Sequence, residues 1–147
     1  MREQSPAISE ALGRLVQGAV SLKMTGQGSP LVVALFTTNR CPCSCASCLW
    51  KHNDWEDTPL DVLKRFYREA KDEGVQATAM TGGEPFLRED LGDLCAYVGG
   101  ELQMPILLFT TGWYLQQRMD EVLPHISMLM LSLDSASRER HDTISRS

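Results

Sequence analysis

The sequence contains no run of lysine or arginine. Its 14 basic residues are scattered among 19 acidic ones, for a net charge of −5 over 147 residues. Binding to nucleic acid draws mainly on cations that neutralise phosphates, so this balance excludes nucleic acid as a partner. There is no long apolar stretch either. The opening MREQSPAISEALGRLVQGAV is broken by Glu3, Glu10 and Arg14, which excludes a secretory leader pattern and a bilayer span. A soluble, cytoplasmic protein with no membrane partner is expected. Low-complexity segments and composition breaks are also missing, and a chain of this length with 43% hydrophobic residues suits one core. Widely separated cysteine pairs are absent: four of the five cysteines crowd into CPCSCASC at 41–48, and Cys95 stands alone in a predicted helix as a small buried hydrophobe. In a reducing compartment such crowding points to metal or redox chemistry, not structural disulfides.

Residues 6–22 place Ile8, Leu12, Leu15, Val16, Ala19 and Val20 on one helical face behind Ser5-Pro6, predicting an outer helix over one end of the core. Polar charges of both signs argue against membrane association. After GQGSP, the run LVVALFTT reads as a strand buried on both faces. DTPLDVLKRFYREAKDEG reads as a helix with Thr58 as cap, Pro59 in the first turn and Gly74 as terminator, burying Leu60, Leu63, Phe66, Tyr67 and Ala70. The pattern recurs: VQATAM, TGGEP, LREDLGDLCAYVG; PILLFTT, WYLQQRMDEVL; MLMLSLD, SRERHDTIS. About four strand-then-helix units predict an α/β fold of parallel βα repeats with an N-terminal helix.

In parallel sheets, sites gather beyond the carboxyl ends of the strands. The loops there are TNRCPCSCASC, TGGEP, TTG and SLDS, so every unusual motif falls on one rim. An apolar final strand, MLMLSL, would leave an unpaired edge, which natural domains avoid. A truncated chain, or one whose sheet a partner or a further C-terminal segment completes, is the expectation.

Cys41, Cys45 and Cys48 are spaced CxxxCxxC with Cys43 between them. Three thiolates on one short loop can surround an iron–sulfur cluster and leave one metal position open. A zinc site using all four cysteines is the alternative, with His52 available to join it, although structural zinc usually takes two separated ligand pairs.

CxxxCxxC after a first strand, GGEP after the second and SLD ending the fourth resemble the radical S-adenosylmethionine (radical SAM) superfamily, from about Leu31 to Ser145. The resemblance implies an incomplete (β/α)6, partial TIM-like barrel at 31–147, a truncated core preceded by helix and linker at 1–30. It implies a [4Fe-4S] cluster on Cys41, Cys45 and Cys48, whose remaining iron chelates S-adenosylmethionine. Reductive cleavage would give methionine and a 5′-deoxyadenosyl radical that takes a hydrogen from a peptide, cofactor precursor or small metabolite. An electron donor such as flavodoxin or ferredoxin is implied as a partner.

The residues fit those roles. Gly82 and Gly83 allow close approach of backbone to ligand, Glu84 before Pro85 suits a ligand ammonium, and TGGEP is otherwise an ordinary turn. Ser132 and Asp134 project to one side of the fourth strand, toward ribose hydroxyls; read alone, SLDS suggests a helix cap at Asp134 or Ser135. Thr110, Thr111 and Gly112 end the third strand nearby. Ser47 stands where the family often has an aromatic residue, and Cys43 is additional to its pattern. No residue is assigned as catalytic acid or base; His125 reads as structural, and His141 and Asp142 have no assigned role. The competing functions are a zinc-binding α/β interaction module and an inactive fragment.

Overall fold

The computed structural model describes residues 6–26, 28, 30–46, 48 and 55–145. Helix α1 (Pro6–Thr25) precedes strand β1 (Val32–Phe36), and α2 (Leu60–Asp72) leads to β2 (Ala77–Thr81). A short 3-10 turn (Pro85–Leu87) precedes α3 (Leu91–Cys95), which widens into a π turn over Ala96–Glu101. Then follow β3 (Ile106–Thr110), α4 (Leu115–Val122), β4 (Met128–Leu131) and α5 (Arg138–Ile144). The strands form one parallel sheet in chain order, β1-β2-β3-β4. Each crossover carries a helix, as the strand-then-helix pattern requires.

Register separates the two faces of the sheet. Leu35 pairs with Met80, Met80 with Leu108 and Leu108 with Leu129, so these four share a face. Met80 and Leu108 are fully buried there, packed with Tyr67 of α2 and Leu94 and Val98 of the third helix. Each such side chain contributes about 1.5–3 kcal/mol through burial. Tyr67 keeps its phenol satisfied by Thr78 Oγ1 at 2.9 Å. The other face of the register holds Val32, Phe36, Phe109, Met128 and Met130, all exposed.

Several local expectations need correction. β1 is not buried on both faces: Val33 and Leu35 are half-buried toward the helices, whereas Val32 is 48% and Phe36 51% exposed. Among the described residues, the helices cover one face of the sheet only. On α1, Leu12, Val16 and Val20 are exposed, and the helix meets the rest through Gly18 against Leu31. In α2, Leu63 and Tyr67 are buried but Phe66 is exposed. Pro59 occupies the cap position without a side-chain cap bond, and Thr58 instead gives its carbonyl to Arg88 at 2.8 Å. Gly74, at φ +98°, follows the helix end as expected. Helix α5 is capped by the Ser137 hydroxyl, which accepts from the Arg140 N–H, and not by Asp134 or Ser135. Ser5, Ser47 and His52 lie outside the described residues.

Candidate functional site

The site begins where β1 and β2 end. Their pairing continues past the strands: Thr37 N–H donates to Thr81 O at 2.8 Å, Gly83 N–H to Thr38 O at 2.8 Å and Glu84 N–H to Arg40 O at 2.8 Å. TGGEP is therefore zipped against the segment that delivers Cys41. Only glycines permit that approach. A Cβ on Gly82 would sit 2.5 Å from Thr38 O, with φ at +142° besides, and a Cβ on Gly83 would sit 2.1 Å from Arg40 O. Gly83 has no positive φ, so Gly83→Ala fails on space alone and must push Arg40 and the adjoining Cys41 outward. Iron and sulfide bound per chain after anaerobic reconstitution should fall below about half of wild type; full loading would refute this packing.

Glu84 is fully buried behind this zipper. One carboxylate oxygen accepts from Thr110 Oγ1 at 2.7 Å and Phe86 N–H at 3.2 Å; the other accepts from Thr111 N–H at 2.8 Å and Thr111 Oγ1 at 2.6 Å. Four donors fill the lone-pair sites of one carboxylate. The glutamate thus ties the β2 loop to the end of β3. A ligand ammonium would have to displace one of these donors to reach it. Arg88, also buried, braces the same region by donating to Thr37 O at 2.9 Å and Thr58 O at 2.8 Å. Arg118 of α4 donates to Arg88 O at 2.7 Å and Glu89 O at 2.9 Å. Sequence reasoning missed both arginines; their only signal was basic residues next to or facing the GGEP turn.

Beyond the strand ends lies a cavity of about 230 Å³. Cys41, Cys43, Cys45 and Cys48 line it with Gly82, Gly83 and Thr111, and Ser132 and Asp134 close it from the loop after β4, which ends at Leu131, so neither stands on the strand as expected. The sequence-predicted residues therefore meet at one place, except Glu84, Pro85 and Thr110, which are buried, and Gly112, all outside its lining. A larger, shallower depression of about 610 Å³ between Trp55, Arg88 and Asp90 has no thiol and none of the rim glycines. The smaller cavity, with the thiols, is where metal chemistry is available.

None of the five cysteines is joined in a disulfide. Cys43 is 6% exposed, and burial, reinforced by the neighbouring thiols Cys41 and Cys45, pushes it up to about 12. Burial likewise raises Cys41. Among the described residues no three side chains are already gathered into a closed metal-ligand set. The loop presents soft sulfur donors to a common space, and binding a metal cluster there would expel their protons. Four thiols facing a glycine-lined cavity fit an iron–sulfur group.

Other lining residues carried weak sequence signals. Trp113 follows the TTG turn, and His141 comes from the ERHD segment of α5. Asp134 N–H donates to His141 Nδ1 at 3.3 Å, and Ser145 Oγ hydrogen-bonds Asp134 Oδ2. Ala46 N–H reaches Ile144 O at 3.3 Å, which ties the cysteine loop to the end of α5.

The profile of the Radical SAM superfamily matches residues 35–147, spanning the cysteine loop, TGGEP and all four strand ends. The chain belongs to the radical SAM superfamily. A GTP 3′,8-cyclase of Clostridium perfringens (strain SM101 / Type A) is 30% identical over 116 residues, covering 74% of this radical SAM chain and 36% of the relative. The S-adenosylmethionine-dependent nucleotide dehydratase RSAD2 of Oncorhynchus mykiss is 23% identical over 91% of the chain and 45% of that protein. Streptococcus suis SuiB bound to S-adenosylmethionine superposes with a TM-score of 0.74 at 21% identity, covering 99% of the chain and 35% of SuiB. The chain thus spans under half the length of these relatives, and its open four-stranded sheet is part of a radical SAM, TIM-like barrel. Membership implies S-adenosylmethionine and an iron–sulfur cluster as cofactors. No helix among the described residues is long and apolar enough to cross a membrane.

Proposed function

We propose that this chain is the part of a radical SAM enzyme that holds a [4Fe-4S] cluster on Cys41, Cys45 and Cys48 and cleaves S-adenosylmethionine reductively. The observation that carries the reading is the shared cavity of the cysteine loop, the TGGEP glycines and the β4 rim. When bound, such a cluster supplies the electron that splits the sulfonium into methionine and a 5′-deoxyadenosyl radical, which takes a hydrogen from substrate. The protein's task is position. Gly82 and Gly83 admit the ligand to the backbone, Thr111, Ser132 and Asp134 offer it hydroxyl and carboxylate groups, and Glu84 with Pro85 holds the rim on which they stand. Cys43, buried among the ligands, fills the loop without joining the cluster. Residues 31–147 form this core, with 1–30 as a helix and connection.

The curated relatives are named for nucleotide substrates, which favours a nucleotide or similar small metabolite as hydrogen donor. A flavodoxin- or ferredoxin-type protein of the cytoplasm would supply the electron. Anaerobically reconstituted protein, incubated with dithionite and S-adenosylmethionine, should release 5′-deoxyadenosine and methionine in equal amounts. A preparation that holds zinc on all four cysteines and releases neither product would instead establish the interaction-module reading.

A further inference from the structure

The chain leaves the sheet after Thr38 and reaches α2 through Thr58, so residues 39–57, which carry every cysteine but Cys95, form one excursion with a neck between those two threonines. One side chain spans that neck. Arg88, 2% exposed, donates from Nη1 to Thr37 O at 2.9 Å and from Nη2 to Thr58 O at 2.8 Å. Its charge is answered by Asp90: Oδ2 accepts from Nη2 at 3.1 Å, and Oδ1 lies 2.5 Å from Nε in ion contact, off hydrogen-bond alignment. The guanidinium is anchored on the GGEP side, where Arg88 N–H donates to Pro85 O at 2.9 Å and Arg118 donates to Arg88 O at 2.7 Å. Two outer rungs cross the same neck: Arg40 Nη2 donates to Asp57 Oδ2 at 2.8 Å, and Asn39 Nδ2 to Trp55 O at 3.2 Å.

Burying a guanidinium is unfavourable unless its donors are used, so what distinguishes this one is where its fork points. A planar fork with donors in fixed directions reaches two carbonyls and a carboxylate at once; the ammonium of a lysine, a single point, does not. Joining the two ends of a loop removes freedom that a bound metal would otherwise have to remove itself. We propose that Arg88, with Arg40–Asp57 as an outer rung, is a clip that closes the neck of the cysteine loop and positions its thiolates for the metal centre. This rests on the proposed function and names a positioning residue for the same site: Arg88 lies outside the lining of the thiol cavity and acts through the backbone of the loop.

The test compares wild type, Arg88→Lys and Asp57→Asn. Metal-free protein is alkylated with iodoacetamide while modification of Cys43 and Cys95 is followed by mass spectrometry, and reconstituted protein is challenged with a chelator while metal release is timed. Cys43 is 6% exposed within the loop and Cys95 is fully buried in the core, so global unfolding exposes both thiols and opening of the neck exposes Cys43 alone. Arg88→Lys should label Cys43 and release metal about tenfold faster than wild type, with Cys95 within about threefold. Asp57→Asn, whose ion pair is partly exposed, should move Cys43 labelling and metal release the same way by about threefold. A Cys43 rate that rises no more than that of Cys95, as a merely structural arginine would give, overturns the clip. Faster Cys43 labelling with unchanged metal release overturns its role at the metal centre, as does a wild-type chain that takes up no metal. If Arg88→Lys does not fold, Asp57→Asn decides on the same two readouts, and wild-type rates there overturn the proposal. Faster release of zinc, held in place of an iron–sulfur cluster, would uphold the clip and reject the proposed function.

Discussion

Cys41→Ala should abolish the brown cluster absorbance and reduce 5′-deoxyadenosine formation at least about a hundredfold. Loss of supporting groups around a metal already costs 10–100-fold, and Cys41 is proposed as one of only three ligands. The informative comparison is Cys43→Ala. Both thiols are raised by burial and both line the cavity, so neither is chosen by acidity or location. The proposal separates them by spacing: removing Cys43 should leave the cluster and the cleavage rate within about threefold of wild type, at about 1 kcal/mol of stability for the lost buried sulfur. Iron and sulfide analysis of the two variants decides it. Equal loss in both would favour four-thiolate coordination, and full retention in Cys41→Ala would refute the assignment.

Glu84→Gln should be the most destabilising conservative change in the site. Glutamine keeps the shape but replaces one acceptor oxygen with an NH2 that must face either the two donors of Thr111 or those of Thr110 and Phe86. Hydrogen bonds to a charged acceptor are worth about 1.5–3 kcal/mol, and an unpaired buried donor costs about 1–3 kcal/mol. A loss of about 3 kcal/mol is expected, which in a chain this size lowers the melting temperature by roughly 10 °C. The β3 rim should loosen with it, read as faster hydrogen exchange of the Thr111 and Gly112 amides. If Glu84 instead serves only a ligand, the ligand-free protein will melt like wild type and those amides will stay protected.

Much of the site was legible because βα repeats leave few places for it. Once VQATAM, PILLFTT and MLMLSLD read as parallel strands, their loops had to share a rim, and the cavity joins Cys41 to Gly82 and Ser132 as that implies. The role of Glu84 was harder to read. Its partners Thr110 and Thr111 are 26 and 27 residues away, and a pairing across β2 and β3 leaves no local trace. The exposed side of β1 was misjudged for a related reason: an apolar, β-branched run shows that burial suits both faces, but what covers each face is a tertiary matter. Thr58 is not the cap because the helix starts at Leu60 and puts Pro59 in the cap position, one residue later than the sequence pattern suggested. His141 carried only a weak signal in sequence, since its place in the cavity depends on how α5 folds back over Asp134.

The central claim is a cluster with one iron left for the cofactor. Electron paramagnetic resonance of the anaerobically reconstituted, dithionite-reduced protein, recorded with and without S-adenosylmethionine, tests it most directly. The account predicts a reduced-cluster signal that shifts when S-adenosylmethionine is added. A signal unmoved by the cofactor, or zinc-loaded protein with no signal, would contradict it.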